Sequence, residues 1–424
     1  MTVAPLPGLS RDGDRDAQAL LTIDLDALGH NWRALARRAA PAECGAAVKA
    51  DAYGCGIAVV VPALARAGCR TFFVAHVWEG REARHALQAS GLGGRIFVLN
   101  GFHPDCAPAS DYRDHRLDAV LGSAEELDAW QAARAAWTGA DLPGSALHVD
   151  TGMNRLGIPV EEARLLPEAV IQAAGVTLVM SHLVSAEDPA DPMNARQIAD
   201  FIRARQGALG GYPASLANSS GIFLPERPFH DLVRPGYALY GGNPTPGRPN
   251  PMRPVVSLRA RILQLRDVPA GATAGYNGRW TAQRPARLAT IALGYADGVP
   301  IGGSGLGDGG GARVFVGDIP CPLVGRISMD LSIADVTHVP PGIVEAEKWV
   351  EWLGSETGID DLARSCGTIG YEILVNLGRR HRRHYIGSGA ATSLPGMGGR
   401  PLRRAGPLLE RRSVTAAGSR SEEA

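Results

Sequence analysis

Residues 176–183 read VTLVMSHL, five apolar or β-branched side chains followed by Ser181 and His182. A strand without polar–apolar alternation has no face to show to water, so it belongs in a parallel sheet covered on both sides. Seven further runs share this texture: CGAAVKA (44–50), TFFVAHV (71–77), RIFVLNG (95–101), LDAVLG (117–122), ALHVDTG (146–152), ASLANSS (214–220) and DLVRPG (231–236). Between them lie stretches such as EGREARHALQAS and SAEELDAWQAARAAW, whose apolar spacing suits amphipathic helices. Eight β/α units over 21–245 predict a closed (β/α)8 TIM-type barrel, with an open doubly wound sheet as the alternative. Barrels of this kind carry their chemistry at the C-terminal strand ends. The polar residues fall there: Lys49, His182, Asn218, Ser219 and Arg234 each close or follow a run.

A Pro-rich connector, GGNPTPGRPNPMRPVV, follows at 241–256. Beyond it, stretches such as ARLATIALGYADG and ARVFVGDIPCPLVGRISMDLSIADV read as strands broken by Gly/Pro turns. A second, mostly β domain is therefore expected over 246–386. Residues 1–20 and the Gly-, Ser- and Arg-rich segment 387–424 bury little and are expected to be flexible.

The 424 residues carry a formal net charge of zero, which offers no electrostatic case for nucleic acid or an anionic membrane as partner. No apolar run approaches transmembrane length. Charges occupy the first twenty residues where a signal peptide needs apolar ones, so a cytosolic protein is expected. Six scattered cysteines without a C-x-x-C pair indicate neither a zinc site nor a disulfide framework.

Among 43 Lys+Arg only Lys49 and Lys348 are lysines. Arginine serves equally as a surface cation but never offers a free amine. A lysine kept at the end of an apolar run points to amine chemistry, as a Schiff base, a nucleophile or a proton base. The other polar strand-end residues admit plainer readings: His182 as a satisfied core histidine, Tyr53 as barrel packing, Asn218, Ser219 and Ser220 as a helix N-cap. Arg234, inside DLVRPGYALYGG, needs an anionic or acceptor partner. An amine, a phosphate cradle and a buried arginine at one mouth together suggest pyridoxal phosphate, a phosphorylated aldehyde.

The sequence resembles the alanine racemase family. AVKADAYGCG is similar to that family's cofactor-lysine signature, apart from Cys55 where histidine is usual. The likeness continues through HVDTGMNRLGI, MSHLVSAED, LANSSG, LVRPGYALYG, AGYNGRW, IALGYADG, GRISMD and GTIGYEIL, in the family's order from about residue 20 to 386. It implies a pyridoxal-phosphate barrel followed by a β domain. Lys49 would hold the cofactor, with Tyr53, Ser219, the backbone of Gly236 and Tyr237, and Tyr371 around its phosphate. His182 would lie against the ring and help orient Arg234. Arg155 would approach the substrate carboxylate, as would the backbone N–H of Met329, with Asp330 alongside and Tyr295 at the entrance. Tyr276 would be a second base, supplied by the β domain of a partner subunit, so a homodimer is implied.

Inverting a stereocentre takes a proton from one face and returns one to the other, which two fixed bases accomplish. The resemblance assigns Lys49 to the D-enantiomer and Tyr276 to the L-enantiomer, interconverting L- and D-alanine and supplying D-alanine for peptidoglycan. A broad-specificity or serine racemase remains the alternative. A pyridoxal-phosphate decarboxylase of the same barrel type would carry glutamate where Arg234 stands. A small cofactor-buffering barrel protein would lack the β domain.

One position departs from the family. Many members have a lysine seven residues before the arginine of DTGMNRLG, whose carbamylated form orients that arginine; here it is His148. Histidine forms no such stable carbamate, so activity is expected to be indifferent to bicarbonate. A charged His148 would repel Arg155, so its imidazole is expected to be neutral.

Overall fold

All eight expected runs are strands, and they close on themselves. The computed structural model describes residues 17–139, 142–306 and 311–387. The expected flexible segments lie outside these, apart from residues 17–20 and 387. In chain order the barrel strands are Glu43–Cys44 continued as Ala46–Ala47, Thr71–Val74, Arg95–Val98, Asp118–Leu121, Ser145–Asp150, Val176–Met180, Ala214–Ser215 and Leu232–Val233. Neighbours pair in parallel from the first to the seventh. Between the seventh and eighth, Asp231 N–H donates to Ala214 O and Arg234 N–H to Ala217 O. Leu232 pairs with Glu43 and Val233 with Cys44, which seals the ring.

Successive strand residues point to opposite faces, so each run splits its apolar residues between two cores. Phe73, Phe97, Val120, Ala146, Leu178, Met180 and Leu232 form a cluster inside the barrel. Their chain neighbours Phe72, Val74, Ile96, Ala119, Leu147, Val179 and Val233 belong to the larger cluster outside it. Helices such as Ile57–Ala67, Val77–Ala89 and Pro192–Ala204 contribute buried faces to that outer layer. The alternation has a direct consequence for the mouth. His148, His182 and Arg234 each lie two residues beyond an inward residue (Ala146, Met180 and Leu232), so parity aims all three inward, above the apolar plug.

The second sheet runs in the order Ile319–Pro322, Arg313–Val316, Trp349–Leu353, Val256–Val268, Ala19–Asp24 and Arg382–Ile386. Val256–Val268 also pairs with Ala286–Ile291, which pairs with Ser332–Asp335. The N-terminal strand sits inside this sheet, antiparallel to Val256–Val268 and parallel to Arg382–Ile386. The segment expected to begin the barrel at residue 21 thus gives its first strand to the β unit. Asp24 ends that strand and caps the next helix, Leu25–Ala39, by accepting from the Asp26 and Ala27 N–H groups at 2.9 Å.

Candidate active site

Lys49 leaves the first barrel strand at an unusual corner. Ala50, Asp51, Ala52 and Tyr53 all have φ between 53° and 55°, a left-handed turn with no glycine until Gly54. Each non-glycine residue there costs roughly 1–2 kcal/mol. Ala50 is exposed, so Ala50→Gly removes one such penalty and opens no cavity. The variant is expected to gain about 1 kcal/mol in urea unfolding; a loss would show that the methyl group is needed.

The turn delivers Tyr53 to the barrel mouth, stacked on Tyr240 at 4.6 Å, with the Tyr240 hydroxyl donating to Ala47 O. Tyr371, from the β unit, lies 6.3 Å from Tyr53 and stacks on Tyr237 at 4.1 Å. Ser219 Oγ accepts from Gly236 N–H and Ala238 N–H at 3.0 and 3.2 Å. A Cβ at Gly236 would overlap the Tyr53 hydroxyl, so only glycine lets these two elements close. Tyr53, Ser219, Gly236, Tyr237 and Tyr371 are thus one cluster. Asn218, by contrast, is committed to the backbone: it accepts from Gly221 N–H and donates to Leu183 O. The Tyr371 hydroxyl donates to Glu187 and the Tyr237 hydroxyl to Asp360.

Arg234 is 6% exposed and donates to the Ser215 hydroxyl and the Ser181 carbonyl. Two neutral serine oxygens, rather than His182, receive its hydrogen bonds. Burial alone pulls its guanidinium down to about 10, still cationic at neutral pH. Its side chain lies over Phe73 of the inner plug, 5.8 Å from the ring centre. Arg155 is thrown toward the mouth by a tight turn in which Asp150 accepts from the Gly152, Met153 and Asn154 N–H groups. Burial and the charge of Arg155 lower the pKa of Lys49. Three cationic side chains therefore converge on one apolar-floored mouth.

Tyr276, Met329 and Tyr295 are 67%, 54% and 45% exposed on the β unit. Among the described residues no hydrogen bond or ion pair joins them to the barrel mouth. Arg380 ties the Tyr295 and Met329 loops together by pairing with Asp297 and Asp330, while Ala296 N–H donates to Met329 O.

The family described as alanine racemase, N-terminal domain, matches residues 23–244, and its C-terminal domain matches residues 255–385. The chain belongs to the alanine racemase family. An alanine racemase of Methylobacterium nodulans is 58% identical over 87% of this chain and 96% of its own length. A catabolic alanine racemase of Mesorhizobium japonicum is 45% identical over 88% and 94%. Among solved structures, alanine racemase from Bartonella henselae with covalently bound pyridoxal phosphate is similar at 36% identity, with a TM-score of 0.79 over 87% of this chain and all of that one. Membership of the alanine racemase family makes this protein an isomerase. Among the described residues no helix is long and apolar enough to cross a membrane.

Several residues that build the site escaped the sequence reading. Ser181 and Ser215 hold Arg234. Thr151 and Gln197 brace the sixth strand end, with Gln197 donating to Thr151 Oγ1 and His182 O and accepting from Val184 N–H. For Ser215 a signal existed, since it lies one step from the outward Ala214 and parity turns it inward. Ser181 lies two steps from the outward Val179 and meets Arg234 only through its backbone carbonyl, which no pattern marks.

His148 and His182 are held neutral. Burial, then the charge of Arg234, lowers His148 to about 4 and His182 to about 3. The unfolded chain binds these protons near pH 6.5, so the stability tied to neutral imidazoles is complete above about 6.5. It falls as pH drops toward the folded values. The urea midpoint is expected to decline between about pH 7 and pH 5, and His148→Asn should decline less. An equal decline in the variant would exclude His148 as one of the groups.

Proposed function

We propose that this chain interconverts L-alanine and D-alanine with pyridoxal 5′-phosphate held on Lys49. The observation that carries the reading is the convergence at one barrel mouth of an amine with a lowered pKa, a hydroxyl-lined cradle and a buried donor-only guanidinium. That donor set fits the cofactor: Lys49, Arg155 and Arg234 supply positive charge to an anionic ligand, and Tyr53, Ser219, Gly236 and Tyr371 lie together as one cluster of hydroxyl and backbone groups suited to a phosphate. When bound, the cofactor supplies the electron sink that makes the substrate Cα–H acidic.

The residues do the rest. Lys49, its pKa lowered by burial and by Arg155, takes or returns the proton on one face of Cα. Tyr276 serves the opposite face. Arg155 and the backbone N–H of Met329 bind the substrate carboxylate, beside Asp330, and Tyr295 lines the approach. Arg234 can only donate hydrogen bonds, so a cofactor ring nitrogen bound beside it would have to accept and stay unprotonated, which would restrain the sink.

The exposure of Tyr276, Met329 and Tyr295 supports a homodimer in which each β unit completes the other subunit's mouth. We place the enzyme in the cytoplasm, supplying D-alanine for peptidoglycan. Relatives named as catabolic favour a second reading, in which it consumes D-alanine or L-alanine as a nutrient. A circular-dichroism racemisation assay over a panel of L-amino acids tests the activity: fastest turnover of alanine is expected, and a clear preference for serine or a bulky residue would reject it. Rescue of a D-alanine auxotroph distinguishes the two physiological readings.

A further inference from the structure

The left-handed turn after Lys49 is too strained to persist unless its surroundings fix it, because four residues carry the penalty together. From outside, the last strand of the β unit holds its end: Arg383 donates to Gly54 O at 2.7 Å and the Tyr385 hydroxyl to Cys55 O at 3.0 Å. Asp51 reaches forward to accept from Ile57 N–H at 2.8 Å. From the barrel side a single carboxylate acts. Glu79 Oε1 accepts from Asp51 N–H at 3.3 Å, and Oε2 accepts from Ala75 and His76 N–H at 2.8 and 3.0 Å.

Capping the helix Val77–Ala89 accounts for Oε2, since Glu79 is the third helical residue and returns to the N-cap. It does not account for Oε1, nor for a carboxylate that is only 1% exposed. Burying that charge is costly unless something needs it. Lys49 lies within its field and within the opposing field of Arg155. We infer that Glu79 is a positioning residue for Lys49, locking the strained turn to the second strand end and supplying an anion that opposes Arg155 at the amine. This rests on the reading of Lys49 as the reactive amine.

The chain provides its own control, because Lys348 is the one other lysine and is exposed. Full-length, cofactor-free protein is trace-labelled with acetic anhydride at about pH 8, and the Lys49 to Lys348 ratio is read by mass spectrometry. Loss of the anion frees the amine, so Glu79→Gln is expected to raise the ratio about threefold to tenfold, a shift of up to about one pKa unit. Glu79→Asp keeps the charge but shortens the arm. It is expected to leave the ratio within about twofold while speeding amide exchange at Asp51 about tenfold, the loss of roughly 1.4 kcal/mol of protection. A wild-type ratio in Glu79→Gln overturns the proposal, as do equal rises in both variants, which would mean that loosening alone exposes the amine. Should Glu79→Gln not fold, wild-type exchange at Asp51 in Glu79→Asp overturns it. Borohydride fixation of the cofactor at Lys348 would sink the Lys49 reading instead, without touching either apoprotein readout.

Discussion

Lys49→Arg is expected to lose racemase activity by on the order of 10⁴-fold or more. The loss is large because two roles vanish together. A guanidinium does not condense with the cofactor aldehyde, and it does not take up a proton at neutral pH. Charge and approximate size are kept, so the fold and the field around Arg155 and Glu79 should persist. Thermal unfolding of the apoprotein within about 1 kcal/mol of wild type would attest to that. The companion measurement is borohydride reduction of the holoprotein followed by peptide mapping. Label on Lys49 is the expected result; label on Lys348, or substantial activity in the arginine variant, refutes the assignment.

Tyr276→Phe is expected to cost about 10²–10⁴-fold in the L-to-D direction, the usual contribution of a positioned proton carrier. Its side chain is 67% exposed in the single chain, so stability should hardly change. The sharper experiment mixes inactive Lys49→Ala subunits with inactive Tyr276→Phe subunits. If the tyrosine works across a dimer, each heterodimer regains one site with both bases intact, and activity returns to a sizeable fraction of wild type. Verified heterodimers with no recovery would put both bases on one chain.

The barrel was legible because its strands are covered on both faces and therefore carry the plainest signal a sequence offers. VTLVMSHL and TFFVAHV announce themselves, and even Ala214–Ser215 and Leu232–Val233, two residues long by backbone pairing, sit within readable runs. The placement of Lys49, His182 and Arg234 at one end followed from the same register. Other features carried no local signal. Ala50, Asp51 and Ala52 are ordinary helix or turn residues, so nothing in ADAY announces four left-handed conformations; tertiary contacts from Glu79, Arg383 and Tyr385 impose them. Glu79 itself looks like any acidic residue in a helix's first turn. The strand Ala19–Asp24 was read with the barrel side of the chain because both its partners lie hundreds of residues away.

That first strand bears on how the molecule is made. As the chain leaves the ribosome, the barrel can close long before Arg382–Ile386 appears, yet Ala19–Asp24 must wait for it with one edge unpaired. Completion of the β unit is therefore a late event, limited by synthesis of the final strand. A fragment beginning at the connector would lack an interior strand and expose two hydrogen-bonding edges, an aggregation hazard. A circular permutant that starts at the connector and joins Ile386 to Ala19, through a linker able to run back along one strand, would remove the wait. In it two strands that now lie more than three hundred residues apart become neighbours in translation.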